Sequence, residues 1–118
     1  MKQLQEEAIQ LLQQLITIAS FSKTEDQTAD AIEAFLEAKG VRPQRFMNNV
    51  WAKNKWYDDA KPTVLLNSHH DTVQPNAQYT KNPFEPIVED GKLFGLGSND
   101  AGGALVSLMA CFLHFYDR

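Results

Sequence analysis

Residues 63–67, with the sequence Thr-Val-Leu-Leu-Asn, form the segment that most restricts the fold of this chain. The apolar side chains are consecutive, so a strand formed there would be apolar on both faces. Such strands lie inside a sheet that is covered on both sides, whereas a strand with one wet face alternates apolar and polar residues. The segment predicts an interior strand and, with the helices around it, an α/β fold with a helix-covered mixed β-sheet.

Two amphipathic helices are predicted before this strand. Apolar residues recur at helical spacing over residues 3–19, with Gln and Glu on the opposite face. A second helix is predicted over residues 25–39, because Thr24 begins a Thr-Glu-Asp-Gln capping box and Gly40 is suited to end the helix. The loop between the helices contains Ser22, and it either faces a substrate or only turns the chain.

Two β-hairpins are predicted around the apolar strand. Residues 41–47 and 50–54 have strand character, and Asn48-Asn49 between them suits a tight turn. Residues 87–94 contain a central Asp-Gly pair, which is typical of a two-residue hairpin turn.

The last predicted helix, residues 104–113, is apolar on nearly every side. A helix of this kind has to be covered all round, and Cys111 within it is expected in the buried core. The preceding residues are too few to supply that cover. Residues 1–118 are therefore interpreted as the N-terminal piece of a longer protein.

The charge balance argues against two classes of partner. A formal net charge of −4 on 118 residues provides no basic surface for nucleic acid or for anionic lipid. One cysteine cannot form an internal disulfide, and the first residues lack the apolar segment of a secretory signal. The sequence thus predicts a cytoplasmic protein with neither nucleic-acid nor membrane partners.

The first polar motif, Ser-His-His-Asp-Thr-Val, follows the apolar strand and contains His69 and Asp71. Residues two apart in an extended segment project to the same side, so Asp71 can reach His69 while His70 points away. A metal-ligating histidine is usually oriented by a carboxylate on its other ring nitrogen. Alternatively, His69 is a hydrogen-bonded loop residue, and Asp71 begins the turn before Pro75.

The second motif, Gly-Ser-Asn-Asp-Ala-Gly-Gly, begins at Gly97 and contains Asp100. Asp100 is either a metal ligand or the N-cap of the last helix. A dinucleotide-binding loop is excluded because its third glycine would fall at Asp100, and the segment is not a Gly-x-Ser-x-Gly serine-hydrolase motif.

Together the two motifs resemble those of the aminoacylase, acetylornithine deacetylase and succinyl-diaminopimelate desuccinylase family of co-catalytic zinc metallopeptidases. The resemblance covers nearly the whole chain but only about the first third of a typical member. It implies that residues 1–118 are part of a catalytic domain, without the remainder of that domain or any lid or dimerisation domain. It implies that His69 binds one metal ion, that Asp100 bridges two, and that Asp71 is the catalytic residue that orients His69. It also implies two zinc ions, with cobalt or manganese as substitutes, no organic cofactor, and a cis peptide bond between Asp100 and Ala101.

The same resemblance implies a zinc-dependent amidohydrolase that deacylates an N-acyl amino acid, in the manner of acetylornithine deacetylase in amino-acid biosynthesis. A dipeptidase or aminopeptidase is the alternative within this chemistry. The family takes its base and a further ligand from a downstream Glu-Glu pair, and another acid and a distant His follow. The Glu-Glu pair in this chain, Glu6-Glu7, lies upstream of both motifs. The isolated chain is therefore predicted to be inactive, and an inert fragment that self-associates through its apolar helix is the alternative of another class.

Overall fold

The computed structural model describes residues 1–118 as three helices and two small sheets. In chain order the elements are α1 (Lys2–Ile16), α2 (Asp26–Ala38), β1 (Gln44–Phe46), β2 (Asn49–Trp51), β3 (Ile87–Glu89), β4 (Lys92–Phe94) and α3 (Gly103–His114). Each sheet is an antiparallel pair, β1 with β2 and β3 with β4. The predicted mixture of helix and sheet is confirmed.

The core lies between α1, α2 and α3. Helix α1 contributes five buried residues at helical spacing: Ala8, Leu11, Leu12, Leu15 and Ile16. Helix α3 packs against that face through Leu105, Val106 and Met109. Burial of these apolar side chains, at about 25 cal/mol for each Å² removed from water, is the main term that stabilises the fold.

The ends of α2 agree with the prediction in one case only. Gly40 has a φ of 79°, and the Val41 N–H donates to the Leu36 carbonyl, so the glycine ends the helix as predicted. The capping box is wrong. The Thr24 hydroxyl donates backwards to the Phe21 carbonyl, and Glu25 occupies the N-cap without a side-chain hydrogen bond. A local turn thus competes successfully for the hydroxyl.

Both predicted hairpins are present, with shorter strands. Asp90 and Gly91 have φ values of 52° and 73°, as a turn of this type requires. In the first hairpin the turn is one residue earlier than predicted: Phe46 pairs with Asn49, and Met47 has a φ of 56°. The Arg45 guanidinium fixes this turn to α2, because it donates to Asp30 as well as to the Met47 carbonyl.

The predicted interior strand at residues 63–67 is not formed. The segment pairs with no other strand, and Val64 and Leu65 are 85% and 82% exposed. An extended segment becomes a strand only when neighbours accept its backbone hydrogen bonds, and neither hairpin lies against this one. The segment is apolar as the prediction required, but its backbone N–H and C=O groups pair with no neighbouring strand.

Helix α3 is buried on one side rather than on all sides. Cys111 is exposed, which contradicts its predicted place in the core, and Phe115 just after the helix is 56% exposed. The reason is geometric, because α1 packs along one stripe of α3 and no β-strand packs extensively against the helix. None of the three helices has the length and apolar character needed to cross a membrane.

Candidate metal site

The two motifs converge at one point on the surface. His69 Nε2 lies 3.0 Å from Asp100 Oδ1, although the residues are 31 positions apart in the chain. Both side chains are accessible, His69 at 51% and Asp100 at 86%. The structure therefore brings together an imidazole nitrogen and a carboxylate oxygen, the donor types that a borderline metal such as zinc takes.

Asp71 lies on the other side of the His69 ring. Its Oδ1 is 3.1 Å from His69 Nδ1, and its own backbone carbonyl oxygen is 3.2 Å from the same nitrogen. These oxygens can only accept, so Nδ1 carries the hydrogen and the Nε2 position faces Asp100. This is the carboxylate–histidine arrangement that orients a metal-ligating imidazole.

The neighbouring groups shift the pKa values of His69 and Asp71. Burial lowers the pKa of His69, but the Asp71 carbonyl and the Asp71 and Asp100 carboxylates outweigh it, so the net pKa is raised above the usual value. The pKa of Asp71 is lowered, chiefly by a hydrogen bond from Ser22 and also by the charge of His69. The two acidic neighbours of His69 therefore favour its protonated form.

The backbone around Asp100 explains its position. Gly97 has a φ of 79°, Asp100 and Ala101 are not helical, and the Asp100–Ala101 bond is cis, as the resemblance implied. The N-cap of α3 is Gly102, so Asp100 does not cap that helix. Its carboxylate is left free to face His69.

The sequence did not predict the hydrogen-bond partners of Ser22 and of His70, which lies in the first motif. The Ser22 hydroxyl donates to Asp71 Oδ2 at 2.5 Å, so the loop between α1 and α2 contacts the site. His70 points away from His69, with Nε2 donating to the Asn48 carbonyl at 2.8 Å and Nδ1 2.7 Å from the Thr28 hydroxyl. Each of these three hydrogen bonds joins residues more than twenty positions apart, so no local sequence pattern predicts them.

Replacing His70 with alanine is expected to destabilise the chain by about 1–3 kcal/mol, because the Asn48 carbonyl and the buried Thr28 hydroxyl each lose a partner. Urea unfolding followed by circular dichroism measures the change. His114→Ala is the matched control, since that ring only packs edge-on against Phe115, and its cost should stay within about 1 kcal/mol. Equal midpoints for the two variants would contradict a structural role for His70.

The number and spacing of the donor atoms decide whether a metal ion fits between His69 and Asp100. Two ligands on a tetrahedral zinc lie about 3.4 Å apart, so a small movement of Asp100 from 3.0 Å suffices. No third His, Cys, Asp or Glu completes a group that could hold an ion. The residues present therefore fit part of a site, whereas structural and catalytic zinc ions normally have three or four protein ligands.

An open cleft of about 440 Å³ adjoins these residues. Besides the three site residues, its wall includes Thr72, Val73, Tyr79, Leu96, Ser98 and Asn99. The wall contains neither lysine nor arginine, so the chain contributes only neutral and acidic groups and one histidine to this cleft.

Comparison with known proteins gives matches over most of the chain. Residues 65–118 match the model of peptidase family M20/M25/M40. A succinyl-diaminopimelate desuccinylase of Blochmanniella floridana is 31% identical over 119 residues, covering 93% of this chain and 30% of that protein. The enzyme of that name from Thiobacillus denitrificans is 32% identical over 100 residues, covering 80% of this chain and 25% of that protein.

The chain spans less than a third of the length of these relatives. The matched residues 65–118 contain both polar motifs and the cis bond between Asp100 and Ala101. The chain belongs to peptidase family M20/M25/M40.

Proposed function

We propose that the whole protein is a metal-dependent hydrolase that cleaves the amide bond of an N-acyl amino acid, and that this chain supplies part of its metal site. The observation that carries the proposal is the approach of His69 Nε2 to Asp100 Oδ1 at 3.0 Å, with Asp71 behind the imidazole. The open cleft beside these atoms gives a small substrate access to them.

Each residue has a separate task in this proposal. His69 presents the Nε2 lone pair, and Asp71 accepts the hydrogen of Nδ1, which fixes the ring orientation and makes the ligand more basic. Asp100 is the exposed carboxylate that would be shared by two cations, and sharing it would reduce their mutual repulsion. Bound zinc would supply Lewis acidity towards the amide carbonyl and activation of a water molecule.

The remaining ligands and the general base belong to residues outside this chain in our proposal. The cleft contains no carboxylate besides Asp71 and Asp100, and two ligands are too few for a stable zinc site. The chain alone is therefore expected to be inactive. The catalytic domain of the whole protein extends beyond residues 1–118, acts on small molecules and works in the cytoplasm.

The cleft also bears on the acyl group. A succinyl group carries a carboxylate that a cation would bind, and the wall that this chain contributes offers no lysine or arginine. The nearby Tyr79, Ser98 and Asn99 are neutral groups that suit a short uncharged acyl group. We therefore propose an acetylated amino acid such as acetylornithine, although the relatives carry the name succinyl-diaminopimelate desuccinylase.

The test is release of free amine from acetylornithine and from succinyl-diaminopimelate by the whole protein in the presence of zinc. The acetyl substrate should be hydrolysed faster, and Asp100→Asn should lower kcat by at least about 100-fold because the shared charge is lost. Hydrolysis that is unaffected by Asp100→Asn would refute the site. Preference for the succinyl substrate, with the same dependence on Asp100, would refute only the acyl group.

A further inference from the structure

The Ser22 hydroxyl contacts the metal-site residues from a distant part of the chain. It lies on the loop between α1 and α2, 49 residues before Asp71, and donates to Asp71 Oδ2 at 2.5 Å. The other oxygen of that carboxylate, Oδ1, is 3.1 Å from His69 Nδ1. The two carboxylate oxygens of Asp71 therefore have one partner each.

We propose that Ser22 is a positioning residue, whose hydroxyl holds the Asp71 carboxylate in the rotamer that directs Oδ1 to His69. This inference deepens the proposed function and rests on it, because orienting His69 matters only if His69 binds a metal.

Exposure is the reason that a positioning group is needed. The side chains of His69 and Asp71 are 51% and 36% exposed, so packing alone does not select their rotamers. Water can replace either partner of an exposed carboxylate at little cost. A charge-assisted hydrogen bond from a fixed hydroxyl favours one orientation over the others.

The loop holds Ser22 in place without help from its hydroxyl. The Thr72 N–H donates to the Ser20 carbonyl at 2.7 Å, and Phe21 forms a parallel bridge with Thr72. The Phe21 ring also packs edge-on against Phe84, with centroids 6.1 Å apart. Because these contacts attach the loop to the motif independently, loss of the hydroxyl should release Asp71 and leave the loop where it is.

The test measures the rotamer of Asp71 directly. Three-bond couplings from the Asp71 Cγ to its backbone nitrogen and carbonyl carbon, recorded by NMR on the metal-free 118-residue chain, report its χ1 populations. We expect a single rotamer in the unmodified chain and averaged couplings in Ser22→Ala. Ser22→Thr retains a hydroxyl and should show the single rotamer. Ser22→Val has nearly the shape of Ser22→Thr but no hydroxyl, so it should show averaged couplings.

Ser107→Ala is the control, since its hydroxyl donates only to the Gly103 carbonyl within α3. Asp71 couplings that are the same in Ser22→Ala, Ser22→Val and the unmodified chain would overturn the proposal. In the whole protein, Ser22→Ala should lower zinc affinity by about tenfold, at the lower end of the range for groups that orient a ligand. A different outcome would separate this proposal from the proposed function. If the Asp71 couplings are averaged in Ser22→Ala but neither His69→Ala nor Ser22→Ala changes the zinc affinity, the proposed metal site is refuted and the Ser22 contact to Asp71 stays established.

Discussion

Replacing His69 with alanine is expected to lower the zinc affinity of the whole protein by more than about 100-fold. Loss of a group that only orients a ligand costs about 10–100-fold, and loss of the ligand itself should cost more. The loss of zinc affinity in Asp71→Asn should be about 10–100-fold, because the amide oxygen can still accept from His69 Nδ1 but carries no charge. Competition with a chromophoric chelator measures the zinc affinities of the unmodified protein and of the two variants.

His114→Ala is the matched control for this experiment, because His114 ends α3 and its ring packs against Phe115 rather than against the site. Its zinc affinity should equal that of the unmodified protein. If His69→Ala and His114→Ala bind zinc equally well, His69 is not a ligand.

The isolated 118-residue chain extends this prediction. With one imidazole and one carboxylate at the site it should bind zinc weakly, and His69→Ala should abolish what binding there is. Tight binding that His69→Ala removes would instead mean that a second copy of the chain completes the site, which light scattering with and without zinc would detect.

Much of the local structure could be predicted because it depends on local patterns. Residues 87–94 form a hairpin since only a few residue types tolerate the positive φ values that Asp90 and Gly91 adopt. The helical spacing of leucines in α1 indicated its buried face in the same way. The approach of His69 to Asp100 was anticipated from two motifs whose donors suit one metal, rather than from periodicity.

The features that the sequence predicted wrongly, or did not predict, depend on contacts with residues that are distant in the chain. Residues 63–67 have the composition of an interior strand, but a strand needs neighbouring backbones, and none lies beside this segment. Cys111 is exposed for a similar reason, as α1 covers only one stripe of α3. The orientation of His70 away from His69 was predicted, but the partners of Ser22 and His70 were not, because a side-chain hydrogen bond across more than twenty residues leaves no repeating signal in the sequence.

Gly102 holds together the turn that presents Asp100. Its N–H donates to the Gly97 carbonyl at 2.7 Å, which closes the turn in front of α3. A Cβ at position 102 would lie 2.6 Å from that same carbonyl oxygen and 2.5 Å from the Cδ1 of Leu12. The Gly97 oxygen belongs to the backbone and accepts the hydrogen bond that closes the turn, so the turn itself has to shift to relieve that contact.

Gly102→Ala is therefore expected to destabilise the chain by about 2–3 kcal/mol and to displace Asp100 from His69. The φ and ψ of Gly102 are −56° and −46°, which alanine adopts readily, so the whole cost is steric. Gly103→Ala is the matched control: its Cβ would lie 3.1 Å from the Ser98 carbonyl oxygen, and the gain in helix propensity should keep its cost within about 1 kcal/mol. Urea midpoints and zinc affinities of both variants provide the measurement. If Gly102→Ala matched Gly103→Ala in both, the close contact with the Gly97 carbonyl would not be what holds Asp100 in place.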